Sequence, residues 1–212
     1  MKKLILAAMV SLFMVNAKAA DLGPLEAMEA FKNSILENKA DAMWTGLPDS
    51  WQSDINYFIQ AAGEKMPAEI WDKSFSLIKR IGVAVDAKKD ILVDLIPAGD
   101  KRETVIQQLS LAGKMLQEIG SSDVAKVEGL KVIDMKSVFE TTGNKVMELM
   151  NDAAFVAEGA GSPFDNPFQL IKETKFKLIK EEGDSAVVQS SNGKGLEKEV
   201  NLVKVEGKWV PK

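Results

Sequence analysis

Residues 174–212, TKFKLIKEEGDSAVVQSSNGKGLEKEVNLVKVEGKWVPK, alternate short β-type runs with turn dipeptides, a pattern that no other part of the 212-residue chain carries. Glu182-Gly183, Asn192-Gly193 and Glu206-Gly207 are the expected turns. Between them, Lys175 to Lys180, Ser185 to Ser190, Leu196 to Val205 and Lys208 to Pro211 place their apolar residues two apart or in short runs, which predicts four antiparallel strands. Phe176 and Leu178 then share one face, as do Val200 and Leu202, while Lys175, Lys177, Glu197 and Glu199 face the other way. Trp209 is expected to be the largest anchor of this β-meander.

Upstream of the meander the apolar spacing changes from two to three and four. Gly23-Pro24 with Glu26 starts a first helix through Ala27, Phe31 and Ile35 to about Asn38. A linker with Trp44, Gly46 and Pro48 leads to a second, with Trp51, Ile55, Phe58, Ile59 and Ala62 on one side. A third follows Met66-Pro67, with Ile70, Trp71, Phe75, Ile78 and Ile81 as its apolar face. Asp86 is expected to cap a short helix through Ile91 to Leu95, which Pro97-Ala98-Gly99 stops. Asp100 with Glu103 resembles a capping box for a helix from Val105 to Ile119, ended by Gly120. Asp134 caps the last long helix, through Val138, Phe139, Val146 and Leu149. Gly159, Gly161, Pro163, Asn166 and Pro167 mark the change from helices to sheet. The expected fold class is α+β: a helical layer of about five to seven helices over 22–158, packed on a C-terminal four-stranded antiparallel curved sheet over 174–212.

Met1 to Ala19 has the form of an export signal: Lys2 and Lys3, an apolar run from Leu4 to Val15 too short to span a bilayer, then Ala17-Lys18-Ala19. The expected product, 20–212, is a single α+β domain, soluble in the periplasm or outside the cell, with no stable membrane anchor. Losing three lysines and no acid takes its formal charge from −4 to −7, which speaks against nucleic acid as a partner. The chain has no cysteine, so neither a lipid-carrying thiol nor a disulfide is available.

With no histidine and no cysteine, Ser-His-Asp and Cys-His machinery, ordinary zinc sites and thiol redox chemistry are excluded. No metal site or cofactor is expected. Asn192-Gly193-Lys194-Gly195 reads as a hairpin turn rather than a phosphate loop. The seven methionines beyond the leader fall on helix faces rather than in a thioether cluster. Trp44, Trp51 and Tyr57 gather around the first interhelical linker, either lining a pocket for an apolar ligand or clamping helices to the sheet. The leading expectation is a non-catalytic binding module for a small apolar ligand, a peptide or an envelope protein. The alternatives are a carboxylate-based hydrolase, for which the acid pairs Glu26/Glu29, Glu181/Glu182 and Glu197/Glu199 look like solvated faces, and a structural or interaction protein of the cell envelope.

The segment Asn201 to Val210, with Gly207-Lys208-Trp209, resembles the closing hairpin of exported members of the nuclear transport factor two-like superfamily. The first helix, followed by Ala40-Asp41 and Leu47-Pro48, is similar to the helix pair that lies across their sheet. The resemblance implies a cone of helix and curved sheet that serves enzymes and pure binding proteins alike. The family's Asp-His pair has no counterpart here. Residues 67–157 are helical where the family supplies a strand and one helix, which implies either a helical insertion or a different helix-plus-sheet arrangement.

Overall fold

The computed structural model describes residues 22–95, 101–159, 167–192, 195 and 197–212. The leader at 1–19, the Pro97-Ala98-Gly99 stop with Asp100, the glycine-proline run at 160–166 and Gly193 lie outside the described residues. The fold is α+β, and the chain divides into two compact units. One joins the stretches before and including Asp54 to Gln169–Lys212; the other is Ile55–Phe168.

The first unit holds helices α1 (Pro24–Leu36) and α2 (Ala40–Thr45), the start of α3 (Asp49–Lys65) and most of α9 (Pro167–Glu173). Its sheet runs β1 (Lys175–Glu182), β2 (Ser185–Ser191), β3 (Glu197–Val205) and β4 (Lys208–Pro211), antiparallel and in sequence order. These are the four strands that the spacing predicts. The register shifts between Leu178 and Lys180, a bulge that leaves Ile179 unpaired and bends the strand. Lys175, Lys177, Glu197 and Glu199 are exposed.

Val188 opposes Val200 and Ala186 opposes Leu202, so one face of β2 and β3 is continuous and apolar. Ala27, Met28 and Phe31 of α1 and Ala42 of α2 join these four residues and Trp209 in one buried cluster, with Phe176 and Leu178 packed against it. At the sheet edge Lys32 Nζ donates to Thr174 O at 3.2 Å and lies 5.7 Å from the centre of the Phe176 ring. The linker expected around Trp44 is instead helical over Ala40–Thr45, because Ala42 and Met43 of a short turn meet the same core.

The β3–β4 turn has Glu206 at φ 52° and Gly207 at φ 80°, the left-handed pair of a two-residue hairpin turn. Glycine takes that conformation freely and glutamate does not, so Glu206 needs a compensating contact. Its carboxylate accepts the Ser50 N–H at 3.2 Å, one of the unpaired donors that open α3. Lys208, two residues on, donates to Thr45 O at 3.1 Å, Leu47 O at 2.7 Å and Asp49 Oδ1 at 2.8 Å. One hairpin tip thus satisfies the carbonyls that end α2 and an amide that begins α3. The Gly-Lys-Trp signal has a physical content here: Gly207 makes the turn, Lys208 clamps the segment 45–49, and Trp209, 3% exposed, fills the core.

The second unit is helical. It contains the remainder of α3, α4 (Ala68–Leu92) ending in a 3-10 turn (Val93–Leu95), α5 (Arg102–Ile119), α6 (Val127–Lys131), α7 (Met135–Val138) and α8 (Asn144–Gly159). Asp134 Oδ1 accepts the Lys136 N–H at 3.0 Å, the expected cap. Between α7 and α8, Phe139–Gly143 widen into a π turn, where Thr141 Oγ1 bonds back to Ser137 O at 2.8 Å.

The short helix expected from Asp86 does not exist separately. Helix α4 runs 25 residues through it, and Asp86 sits inside. Packing outweighs the capping signal, because Gly82 and Gly113 let α4 and α5 touch backbone to backbone: a Cβ on Gly82 would lie 2.6 Å from Gly113 O. Four residues beyond Gly82, the Asp86 carboxylate accepts the Ser110 hydroxyl at 2.6 Å and pairs with Lys89 at 3.3 Å.

Candidate functional site

Helix α4 follows Pro67, carries Glu69 in its first turn and Lys89 in its last, charges that suit its dipole, and so holds a long regular spiral with two unlike faces. The inner face is fully committed. Trp71 donates its indole N–H to Val124 O at 2.8 Å and meets Phe75 with ring centres 4.9 Å apart. Asp72 accepts the Val127 N–H at 2.9 Å, capping α6. Gly82, Asp86 and Lys79 then face α5, where a Cβ on Gly120 would fall 2.7 Å from Lys79 Cβ. These contacts fix the rotation of α4 about its axis. What is left over on the outer side is therefore an oriented surface, not a loose one.

That outer side reads Ile70, Ser74, Leu77, Ile81, Ala84, Lys88, Ile91 and Leu95, in alternating steps of four and three, and every one of the eight is exposed. Ile70 is 66% exposed, Leu77 55%, Ile81 44%, Ile91 60% and Leu95 78%. Single exposed apolar residues are ordinary on a protein surface. Eight positions at a mean step of about three and a half, four of them large apolar residues of α4 with Leu95 on the 3-10 turn beyond it, follow the seam by which helices pair. The spacing in the sequence places Ile70 and Ile81 on the same apolar face as Trp71, Phe75 and Ile78. The structure separates them: Trp71, Phe75 and Ile78 turn inward, while Ile70 and Ile81 turn out. The step of seven from Ile70 to Leu77, Ala84 and Ile91 was the available signal, and the denser aromatic spacing beside it masked it.

Trp44 is buried at 2% exposure, in α2 of the first unit. Trp51, at 38%, and Tyr57, at 74%, lie exposed along α3. Six residues on a helix turn the chain by about 240° from one exposed ring to the next, so the two point to different sides. Phe58, expected on the packed side of that helix, is 73% exposed, since the inward positions are taken by Asn56, which accepts the Met135 N–H at 2.9 Å, and Gln60, which donates to Ile133 O at 2.9 Å.

A depression of about 160 Å³ lies on the sheet between Lys180, Glu182, Ser185, Val187, Asn201 and Lys212. It is smaller than the ~300–1,000 Å³ of ligand pockets, and Ala186 and Leu202 complete a lining that mixes polar and apolar surface. Among the described residues no group of three or more acidic side chains is placed to hold a metal ion. Asp86 and Glu206 are held below the usual carboxylate range, Asp86 first by the Ser110 hydroxyl and Glu206 first by Ser50. General-acid work at neutral pH needs the opposite shift. Among the described residues no helix is long and apolar enough to cross a membrane. No family model matches the chain, and no characterised protein or solved structure is similar to it.

Proposed function

We propose that the chain is a non-catalytic interaction protein of the cell envelope, exported and released by removal of residues 1–19, which docks an amphipathic α-helix of a protein partner along the outer seam of α4. The observation that carries this is the exposed row Ile70, Leu77, Ile81 and Ile91 on a helix whose other face is fixed, continued by Leu95 on the 3-10 turn that ends it. Side chains of this size each present on the order of 100 Å² for burial, so the row amounts to several hundred Å², the scale at which an exposed apolar patch marks an interaction site. A spacing of three and a half residues suits a helix better than an extended peptide, whose side chains repeat every two. Lack of histidine and cysteine supports a binding role over a hydrolytic one. The likeness to exported nuclear transport factor two-like proteins, carried by the Gly207-Lys208-Trp209 hairpin and the helix across the sheet, supports a scaffold that serves binding proteins as readily as enzymes.

A photo-crosslinking amino acid placed at Leu77 tests this in the living cell, with the same group at exposed Lys177 of β1 as control. A discrete protein adduct from Leu77 and none from Lys177 is expected. Absence of adducts from Leu77, Ile81 and Ile91 alike, with a small molecule retained by the purified protein, refutes the reading.

A further inference from the structure

We infer that the helix that occupies the α4 seam is α4 of a second copy of this chain, lying antiparallel across it. This rests on the docking role proposed above and names its occupant. In an antiparallel pair centred between Gly82 and Val83, Ile70 meets Leu95 of the second copy, Ser74 meets Ile91, Leu77 meets Lys88 and Ile81 meets Ala84. Every layer occurs twice by symmetry, as a self-complementary interface requires.

The charges choose the direction. Beside the seam, Lys73 and Arg80 flank its first half and Asp94 its far end, all of them exposed. The antiparallel register brings Lys73 against Asp94 of the second copy at both ends. A parallel register would instead set Lys88 against Lys88 in the middle of the apolar row. The antiparallel one keeps these two lysines eleven residues apart along the axis, about 16 Å at 1.5 Å per residue, with each stem over Leu77. Ser74 and Lys88 interrupt the apolar row at two places only, which is how a polar seam position fixes a register. Within one chain Lys73 pairs with Glu69 and Asp94 with Arg102, at 2.5 and 3.2 Å. Both pairs are solvent-exposed and weakly held, so the cross-pairs can form beside or in place of them. With its flanking stems the face offers on the order of 600–800 Å² per copy, a total of ~1,200–1,600 Å², which falls in the size range of stable specific interfaces.

Because the chain has no native cysteine, a single introduced thiol is unambiguous. Ser74→Cys and Ile91→Cys proteins, mixed and mildly oxidised, are expected to form the mixed disulfide. Ser74→Cys alone is expected to form none, its two copies lying about 26 Å apart along the axis. Sedimentation of the purified protein should give twice the mass of one chain. Ile81→Asp places two carboxylates beside the symmetry axis and should weaken the dimer at least about a hundredfold. Lys73→Asp and Asp94→Lys should each weaken it, and the double exchange should restore it; this arm keeps the test decisive even where Ile81→Asp disturbs folding.

A monomer at all concentrations to about 100 µM, or a Ser74→Cys homodimer, overturns the inference. If the protein is monomeric while Leu77 still yields an adduct of another mass in the cell, the docking role stands and the second copy falls. If neither forms, both fall.

Discussion

Gly82→Ala sets two magnitudes against each other. In a helix interior alanine is favoured over glycine by about 1 kcal/mol, so propensity alone predicts a more stable protein. Contact geometry predicts the reverse. The new Cβ would sit 2.6 Å from Gly113 O and 2.9 Å from both Gln117 N and Leu116 Cβ, against 3.4 Å or more in ordinary contact. Two of the three atoms are backbone, so no side-chain rotation relieves the overlap and α4 and α5 must move apart by about 0.5–0.8 Å. A gap of that size forfeits roughly a quarter to a half of the dispersion energy of the atoms lining it. Overpacking of this kind costs typically 1–3 kcal/mol after relaxation. The helix gain offsets part of a cost in the upper half of that range, leaving a net destabilisation of about 1–2 kcal/mol. Gly113→Ala meets Gly82 O at 2.8 Å and should cost a similar amount. The double variant should cost less than the sum, because the first substitution has already opened the crossing. Urea unfolding followed by far-ultraviolet circular dichroism checks all three. A midpoint that rises in Gly82→Ala would show that α4 and α5 do not touch there.

Three further outcomes are expected. Lys208→Met, which strips three acceptors of a donor whose side chain is 17% exposed, should destabilise the first unit by about 2–3 kcal/mol, whereas Asp49→Asn, 86% exposed, should cost under about 1 kcal/mol. Tryptophan fluorescence on a Trp71→Phe background, which leaves Trp44, Trp51 and Trp209, reads this unit during urea unfolding. Trp209→Ala should cost about 3–5 kcal/mol by the same measurement. The Asp86 carboxyl is lowered chiefly by the Ser110 hydroxyl, so the stability it contributes is present above the unfolded carboxylate range, near pH 4, and is lost as pH falls through the lower folded value. The difference in urea midpoint between wild type and Ser110→Ala should therefore be full at pH 7 and shrink below about pH 4; a difference constant across that range would remove Asp86 from the account.

The strands were legible because each is bounded by a turn residue and alternates on a period that no helix shares; Val188, Val200 and Leu202 sit where that alternation puts them. Asp86 misled because a capping residue is a local signal, whereas the Gly82–Gly113 contact that keeps α4 continuous joins residues far apart in sequence. The seam was hidden differently. Ile70 and Trp71 are neighbours in sequence, both apolar, and about 100° apart on the helix, so a single broad stripe and two distinct faces look alike until a partner claims one of them. Trp44, Trp51 and Tyr57 looked clustered because they are near in sequence, yet burial at one and exposure at the others depends on which helix side each occupies.

The hairpin at Glu206 and Lys208 bears on timing. Lys208 and Thr45 are 163 positions apart, so α1 and α2 leave the ribosome long before the strands that shelter them exist. The apolar residues of α1, Met28 and Phe31, must wait uncovered through that interval, while the helical unit, rich in contacts between neighbouring segments, can settle first. A chain built this way keeps its first unit open until synthesis ends, a state in which a chaperone finds apolar surface to hold.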